Sequence, residues 1–350
     1  MIFDFFKSLK NRLDKACKKF FGGKAVLKKC DKKLSLMIAM SVIFSGTATY
    51  MILSSAESYA KKLSDLKDRT PDYVRYASMG YAFDSVSSKK NVLLSIKGDS
   101  GLCRTHIMTF DEDKHTLDIL ELSPDTLVEC DGFKGTLSEA FETPVYKNIV
   151  SRMVCLSVDS EVVFDLDAFS DCVTLLGGLK INVEHPITIG ETSIAKGKRT
   201  MMGSMAKIIA GDGEAYVSSS IERIKVYRQL MASLLKKLNE KGAVVWVSDL
   251  LSVIVNQMST DMQVTEIIEL ANLSNKISLD SMNLWLCPGW VTEHEGHSIY
   301  AVDSQSLAEI LDKHFRVKDV TVSRDKLGVP EFEESQEEYK GLKTKIADIK

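Results

Sequence analysis

Residues 34–53 form an uninterrupted stretch of twenty residues without a charge, and no other feature constrains this chain more. As a helix rising about 1.5 Å per residue, twenty residues reach roughly 30 Å, the thickness of a bilayer's hydrocarbon core. The sequence before it is strongly basic. Residues 1–33 hold eleven Lys or Arg and three Asp, a formal charge of +8, which leaves −11 for the rest of a chain whose total is −3. Basic flanks stay in the cytoplasm. The pattern therefore predicts a cytoplasmic head over 1–33, one transmembrane helix over 34–54, and everything beyond it outside the cell membrane. A cleaved signal peptide is the competing reading, but its apolar core is usually only about 7–15 residues behind a short basic region. A buried core helix is the other competing reading; the segment has no amphipathic face, and the basic block before it suits a membrane span better. Within the head, Phe3, Phe6, Leu13 and Phe20 alternate with lysines. That spacing suits a helix lying on an anionic inner leaflet, and equally a solvated basic tail that only sets orientation.

The acidic body argues against nucleic acid as its partner. With 45% hydrophobic and 27% charged residues, the chain has enough apolar side chains to fill a core, which excludes wholesale disorder. Of seven cysteines, Cys17 and Cys30 fall in the head and Cys103, Cys130, Cys155, Cys172 and Cys287 beyond the span. Five is odd, the spacings are irregular and no CxxC occurs, so neither a disulfide framework nor a zinc site is indicated.

Beyond the span, residues 55–90 are polar and mixed and read as a stalk. Strands are predicted over 91–96, 105–110, 117–122, 161–166 and 179–183 from their apolar runs and the turns between them. Asp167 is positioned to cap a short helix that ends at Gly177 and Gly178. Longer helices are expected over 221–238, 243–257 and 264–273, and another from a Ser304 cap to Phe315. After Gly328 the chain turns charged, so 327–350 reads as a loose tail. Strands alternating with helices give an α/β fold, a layered α/β/α domain on a mixed sheet spanning 91–326 and preceded by the one transmembrane helix. Val92, Leu94, Ile107, Leu120, Phe164, Phe169 and Leu176 are expected in one core.

Several stretches, in order, resemble the LytR–CpsA–Psr (LCP) family. They are the strand 91–96 with Asp99 and Ser100, Arg104 to Met108, and Pro124–Asp125–Thr126 after the third strand. Farther on come Phe164 to Phe169 leading to Gly177 and Gly178, Met201 to Ala206, and Glu222 with Arg223. Leu286 to Gly289 and Gly296 to Tyr300 complete the series. The resemblance covers about 35–315. It implies an LCP-like domain that binds a polyprenyl pyrophosphate-linked glycopolymer and, as a phosphotransferase assisted by Mg²⁺, moves it to peptidoglycan. The implied partners are the membrane, the polyprenyl-linked polymer and peptidoglycan. A long lipid tail needs an apolar tunnel between helices and sheet. Arginine forks suit pyrophosphate oxygens, and carboxylates suit a divalent metal.

Carried over residue by residue, the resemblance implies catalytic roles for Arg104 and Asp125. It makes Arg104, Arg223 and His106 pyrophosphate ligands and Asp99 a metal ligand. It also shows departures, and so implies a degenerate site. His106 stands where the second metal Asp is expected, and Pro124 replaces an Arg. Residues 209–213 hold no cation where the family has a Tyr-Val-Arg-x-Arg run, and Ser220 and Ile224 fall where an Arg and a Gln are expected. Two functions stay open: a membrane-anchored ligase of cell-wall assembly, or a catalytically inactive relative serving as envelope scaffold or regulatory binding protein. Arg104 and Arg223 are expected to converge with Asp99 and Asp125 at the mouth of an apolar cavity. His106 should face the same cavity, and Pro124 should leave empty space beside it.

Overall fold

The computed structural model describes residues 88–241, 258–317, 320–332 and 343–348, all within one compact unit, Leu63–Lys350. The basic head, the apolar segment 34–54, the stalk up to residue 87 and the expected helix 243–257 lie outside the described residues. Among the described residues, no helix is long and apolar enough to cross a membrane.

Chain order begins with three strands, β1 (Lys89–Gly98), β2 (Gly101–Asp111) and β3 (Thr116–Leu122). A hairpin, β4 (Leu127–Cys130) with β5 (Phe133–Thr136), leads into α1 (Leu137–Phe141) and α2 (Tyr146–Val154). Next come β6 (Ser160–Asp165), α3 (Leu166–Leu175), β7 (Leu179–Val183), and the small hairpin β8 (Ile187–Ile189) and β9 (Thr192–Ile194). β10 (Gly197–Met201), α4 (Gly203–Ala210) and the long α5 (Ile221–Lys241) follow. The last elements are β11 (Met258–Thr260), α6 (Val264–Lys276), β12 (Met282–Leu286), the hairpin β13 (Gly289–His294) and β14 (His297–Val302), α7 (Ser304–Ile310) and β15 (Lys343–Lys345).

One seven-stranded sheet organises the domain, in the order β11-β6-β1-β2-β3-β12-β15. β1 pairs parallel with β6 and β3 parallel with β12, whereas β1–β2, β2–β3, β11–β6 and β12–β15 are antiparallel. The sheet is therefore mixed, as expected. Its central strands are largely buried on both faces, and Arg104, His106 and Glu121 interrupt their apolar runs.

Alternation along each strand sorts the core into two layers rather than the single core expected from the sequence. Leu93, Ile107 and Leu120 sit opposite one another in register and cluster with Ile149, Val150 and Met153 of α2 and Leu307 of α7. Val92, Ile96, Phe110, Leu117 and Ile119 point to the other face, and cluster with Phe169 and Val173 of α3 and Tyr227, Leu230 and Met231 of α5. Leu94 and Phe164 are only half-buried, and Leu176 is buried at the C-terminal end of α3.

Three local expectations are corrected. α3 begins at Leu166 with Asp165 as its N-cap residue, so Asp167 lies in the first turn, where it pairs with Lys207. At α7 the cap is Asp303, whose carboxylate accepts from the Ser306 N–H, and Ser304 is the first helical residue. The charged tail is not loose over 343–348. β15 adds a seventh strand beside β12, and Ile346 is fully buried in the second layer. A single isoleucine among lysines carries no periodicity from which to read this. The glycines at the end of α3 do act as its stop: Gly178 has a φ of +81°, and a Cβ there would meet Met202 and Thr200 at 2.8 Å. Gly203 serves close packing instead. It opens α4 directly on α3, where a Cβ would overlap the Ser170 carbonyl and the Thr174 hydroxyl. The described cysteines are all free thiols.

Candidate functional site: a cation cluster beside an apolar chamber

The second face of the sheet carries the site. On β2, Arg104, His106, Met108 and Phe110 share that face because alternate residues do. In register beside them lie Ile96, Leu94 and Val92 of β1, and Glu121, Ile119 and Leu117 of β3. One end of the face is therefore charged and the other apolar. α5 covers both. Arg223, Tyr227 and Met231 follow one another at helical spacing from the rim inward.

Arg104 is fully buried. Its Nε donates to the Ala210 carbonyl at 3.1 Å, and its Nη2 to the carbonyls of Ile209 at 3.2 Å and Asp212 at 2.6 Å. The guanidinium lies 4.1 Å from the Tyr227 ring centre and 5.0 Å from that of Tyr216. Its Nη1 finds no acceptor with hydrogen-bonding geometry among the described residues. Arg223 reaches the same link from the other side. Its Nε donates to Asp212 Oδ2 at 2.7 Å and its Nη2 to Oδ1, a bidentate pair. The two arginines thus converge, as expected, and they meet on Asp212.

His106 is also fully buried, with its Nε2 3.1 Å from the Tyr227 hydroxyl. Burial, reinforced by the charges of Arg104 and Arg228, lowers its pKa to about 4 against the pull of Glu121. It is neutral at physiological pH. Pro124 is buried, and the turn at Gly213 lies beside it: a Cβ on Gly213 would stand 3.8 Å from its ring.

Asp125 is half-buried at the rim. Burial, and then the nearby Glu214 carboxylate, raise its pKa to about 6. Asp99 is exposed in the β1–β2 turn, where its charge acts on Lys207 and Cys103. Among the described residues no three His, Cys, Asp or Glu side chains come together in a way that would hold a metal ion. Asp99 is exposed, whereas His106 is enclosed against Tyr227; Mg²⁺ is commonly held by one or two carboxylates together with waters and substrate phosphates.

Three members of this cluster escaped the sequence reading: Asp212, Glu121 and Arg228. Asp212 falls in a run read only for its missing cations. Glu121 is fully buried; it accepts from the Tyr216 hydroxyl and, at 2.9 Å, from Arg228 Nη1. Arg228 also donates to the Leu284 carbonyl at 2.6 Å and to Thr344 of β15 at 3.1 Å. Signals for the last two were present. Glu121 falls on the same alternate positions as Leu117 and Ile119, and Arg228 stands four residues after Ile224 on the buried side of an amphipathic helix. Arg228 and Gln229 also form an adjacent Arg-Gln pair, close to the Ser220 and Ile224 positions where the resemblance leads one to look for those residues.

Beyond the charged end the same face opens into an apolar chamber of about 260 Å³. Val92, Leu94, Met108, Phe110 and Phe164 stand on its sheet wall; Phe169, Met231, Leu235, Leu238 and Leu270 stand on its helical wall. None of Arg104, Arg223, His106, Asp99, Asp125 and Tyr227 is among its lining residues, so the arginines meet beside this cavity rather than at its mouth, and His106 does not face it as expected. The charged cluster is packed shut beside an open apolar space.

Known proteins share this arrangement of elements. The structure of protein gbs0355 from Streptococcus agalactiae superposes with a TM-score of 0.56 at 16% identity, over 64% of this chain and 86% of that one. TagT bound to LI-WTA superposes with a TM-score of 0.53 at 18% identity, over 71% of this chain and 95% of that one. In sequence, the chain is 26% identical over 172 residues to the Bacillus subtilis polyisoprenyl-teichoic acid–peptidoglycan teichoic acid transferase TagU. That match spans 47% of this chain and 56% of the relative, so the chain covers just over half the length of TagU. The profile of the LytR–CpsA–Psr family matches residues 99–316, most of the described domain. This chain belongs to the LytR–CpsA–Psr family.

Proposed function

We propose that this chain is a membrane-anchored envelope protein that binds a polyprenyl-linked glycopolymer, with the isoprenoid chain in the apolar chamber. The observation that carries the reading is the chamber itself: about 260 Å³ of space walled almost wholly by aliphatic, aromatic and Met side chains, directly beside buried arginines. A branched hydrocarbon gains about 25 cal/mol for each Å² of apolar surface removed from water, and gains nothing from polar groups. The names of the relatives point the same way. TagU is named for transfer of a polyisoprenyl-linked teichoic acid to peptidoglycan, and TagT, alike in fold, is bound to LI-WTA. On this reading the uncharged stretch 34–53 anchors the chain, the basic head lies in the cytoplasm, and the folded domain faces peptidoglycan outside.

A second reading, that the chain binds but does not transfer, is favoured by the state of its cations. Arg104 is held by backbone carbonyls, Arg223 by Asp212 and Arg228 by Glu121. Oxygen ligands for Mg²⁺ are not assembled around Asp99 among the described residues. The site is then degenerate as a transferase, and the protein serves as an envelope scaffold or regulator.

Both readings are tested by incubating the full chain in detergent with an undecaprenyl diphosphate-linked disaccharide and following it by native mass spectrometry. Bound lipid is the expected result, and its absence would overturn the proposal. Addition of peptidoglycan fragments with Mg²⁺ then separates the readings, since transfer marks a ligase and retention of the lipid marks a binding protein.

A further inference from the structure

Asp212 lies between two arginines that come from different elements. Arg223 takes its carboxylate with two N–H groups, and Arg104 takes its carbonyl. A carboxylate held this way offers a guanidinium fork the same two-oxygen edge that a phosphate would. Asp212 is nearly fully buried, so the pair is little screened by water. Arg104, by contrast, has only neutral acceptors hydrogen-bonded to it, and its Nη1 has none of acceptable geometry among the described residues. The Glu121 carboxylate acts on Arg104 through space and favours its charged form, so what this guanidinium lacks is a direct anionic partner, which a diffusible anion would supply.

The link carrying Asp212 is short. It joins α4 to a single 3₁₀ turn, Gly213–Ala215, and Tyr216 follows, donating to Glu121. Two of its side chains thus tie it to the cluster, Asp212 to Arg223 and Tyr216 to Glu121. Arg223 is the more accessible arginine, with its side chain 18% exposed.

We infer that Asp212 is a built-in competitor for the anionic head of the ligand, and that the Asp212–Arg223 pair opens before a diphosphate reaches Arg104. The closed link is then the resting state. A diphosphate takes over Arg223, the link withdraws the Asp212 charge, and both guanidiniums face the ligand. This deepens the proposed function and rests on it for the identity of the lipid, but not for the anion.

The test uses the full chain in detergent with inorganic pyrophosphate, measured by titration calorimetry. Asp212→Asn should bind pyrophosphate about tenfold more tightly than wild type, the scale of one lost charge-assisted interaction. Tyr216→Phe removes the other anchor and should change affinity in the same direction by less, which keeps the question answerable if Asp212→Asn fails to fold. Geranylgeraniol, an uncharged isoprenoid, should bind both variants and wild type alike. Pyrophosphate affinity at or below the wild-type value in the folded variants would overturn the proposal. If the pyrophosphate gain occurs but geranylgeraniol binds none of the proteins, the gate stands and the reading of the chamber falls.

Discussion

On the face of the sheet covered by α5, β2 carries Arg104 and His106 at one end and Met108 and Phe110 at the other. The two ends share their strands and their covering helix, yet one is filled and the other open. At the charged end each of three arginines meets a group of the chain itself: carbonyls for Arg104, Asp212 for Arg223, Glu121 for Arg228. At the apolar end the side chains stop short of one another and leave about 260 Å³. The difference has a physical origin. Buried charges without partners cost several kcal/mol each, so a folded chain without a bound anion closes a charged pocket on its own groups. An apolar hollow open to solvent strands no charge and costs only the contacts its walls lack.

The largest contrast comes from removing one partner at each end. Arg228→Ala leaves Glu121 buried with its charge poorly compensated and should destabilise the domain by about 3–5 kcal/mol. Leu235→Ala, at the half-buried wall of the chamber, should cost less than about 2 kcal/mol because part of its surface already faces open space. Chemical denaturation of the two variants measures both values. Equal losses would mean that the ends do not differ as described.

The next effect is smaller and depends on pH. His106 is held neutral, its pKa lowered to about 4 chiefly by burial. A lowered histidine pKa gives stability that is present above the ordinary value near 6.5 and is lost as pH falls toward 4, about 2 kcal/mol by pH 5. Asp125 has the opposite sign. Its pKa is raised to about 6, so its contribution grows as pH falls through 6, discounted because its carboxylate is partly exposed to solvent. His106→Asn should therefore flatten the loss of melting temperature between pH 7 and 5, and Asp125→Asn should steepen it. Shifts in the reverse directions would show that neither group titrates as its surroundings dictate.

The smallest effect concerns metal. Asp99 is exposed in the turn between β1 and β2. Asp99→Ala, or removal of Mg²⁺ by a chelator, should alter pyrophosphate affinity by less than about twofold, the scale of an isolated surface change. A large loss in both cases would place a metal at Asp99.

Much of the fold was legible in the sequence because its signals are local. Apolar runs marked β1, β2, β3 and β6, and Gly178 marked the stop of α3 through a backbone conformation that favours glycine. The convergence of Arg104 and Arg223 followed from the family resemblance, and the shared face of Arg104 and His106 followed from strand alternation. What escaped depends on contacts distant in sequence. Glu121 and Arg228 are 107 residues apart, and neither identifies its partner alone. β15 holds only three residues and becomes a strand because β12 offers an edge and the second layer accepts Ile346. The split into two layers likewise emerges only once the register of the central strands is set.

Filling the chamber separates the open apolar end from the closed charged end in one measurement. Leu94→Trp places a large side chain at the sheet wall of the chamber, away from the Asp212–Arg223 pair. Native mass spectrometry of the full chain with geranylgeraniol should show one bound isoprenoid in wild type and none in folded Leu94→Trp, while inorganic pyrophosphate binds the two proteins equally. Undiminished geranylgeraniol binding to Leu94→Trp would mean that the isoprenoid sits elsewhere and that the chamber is not its site.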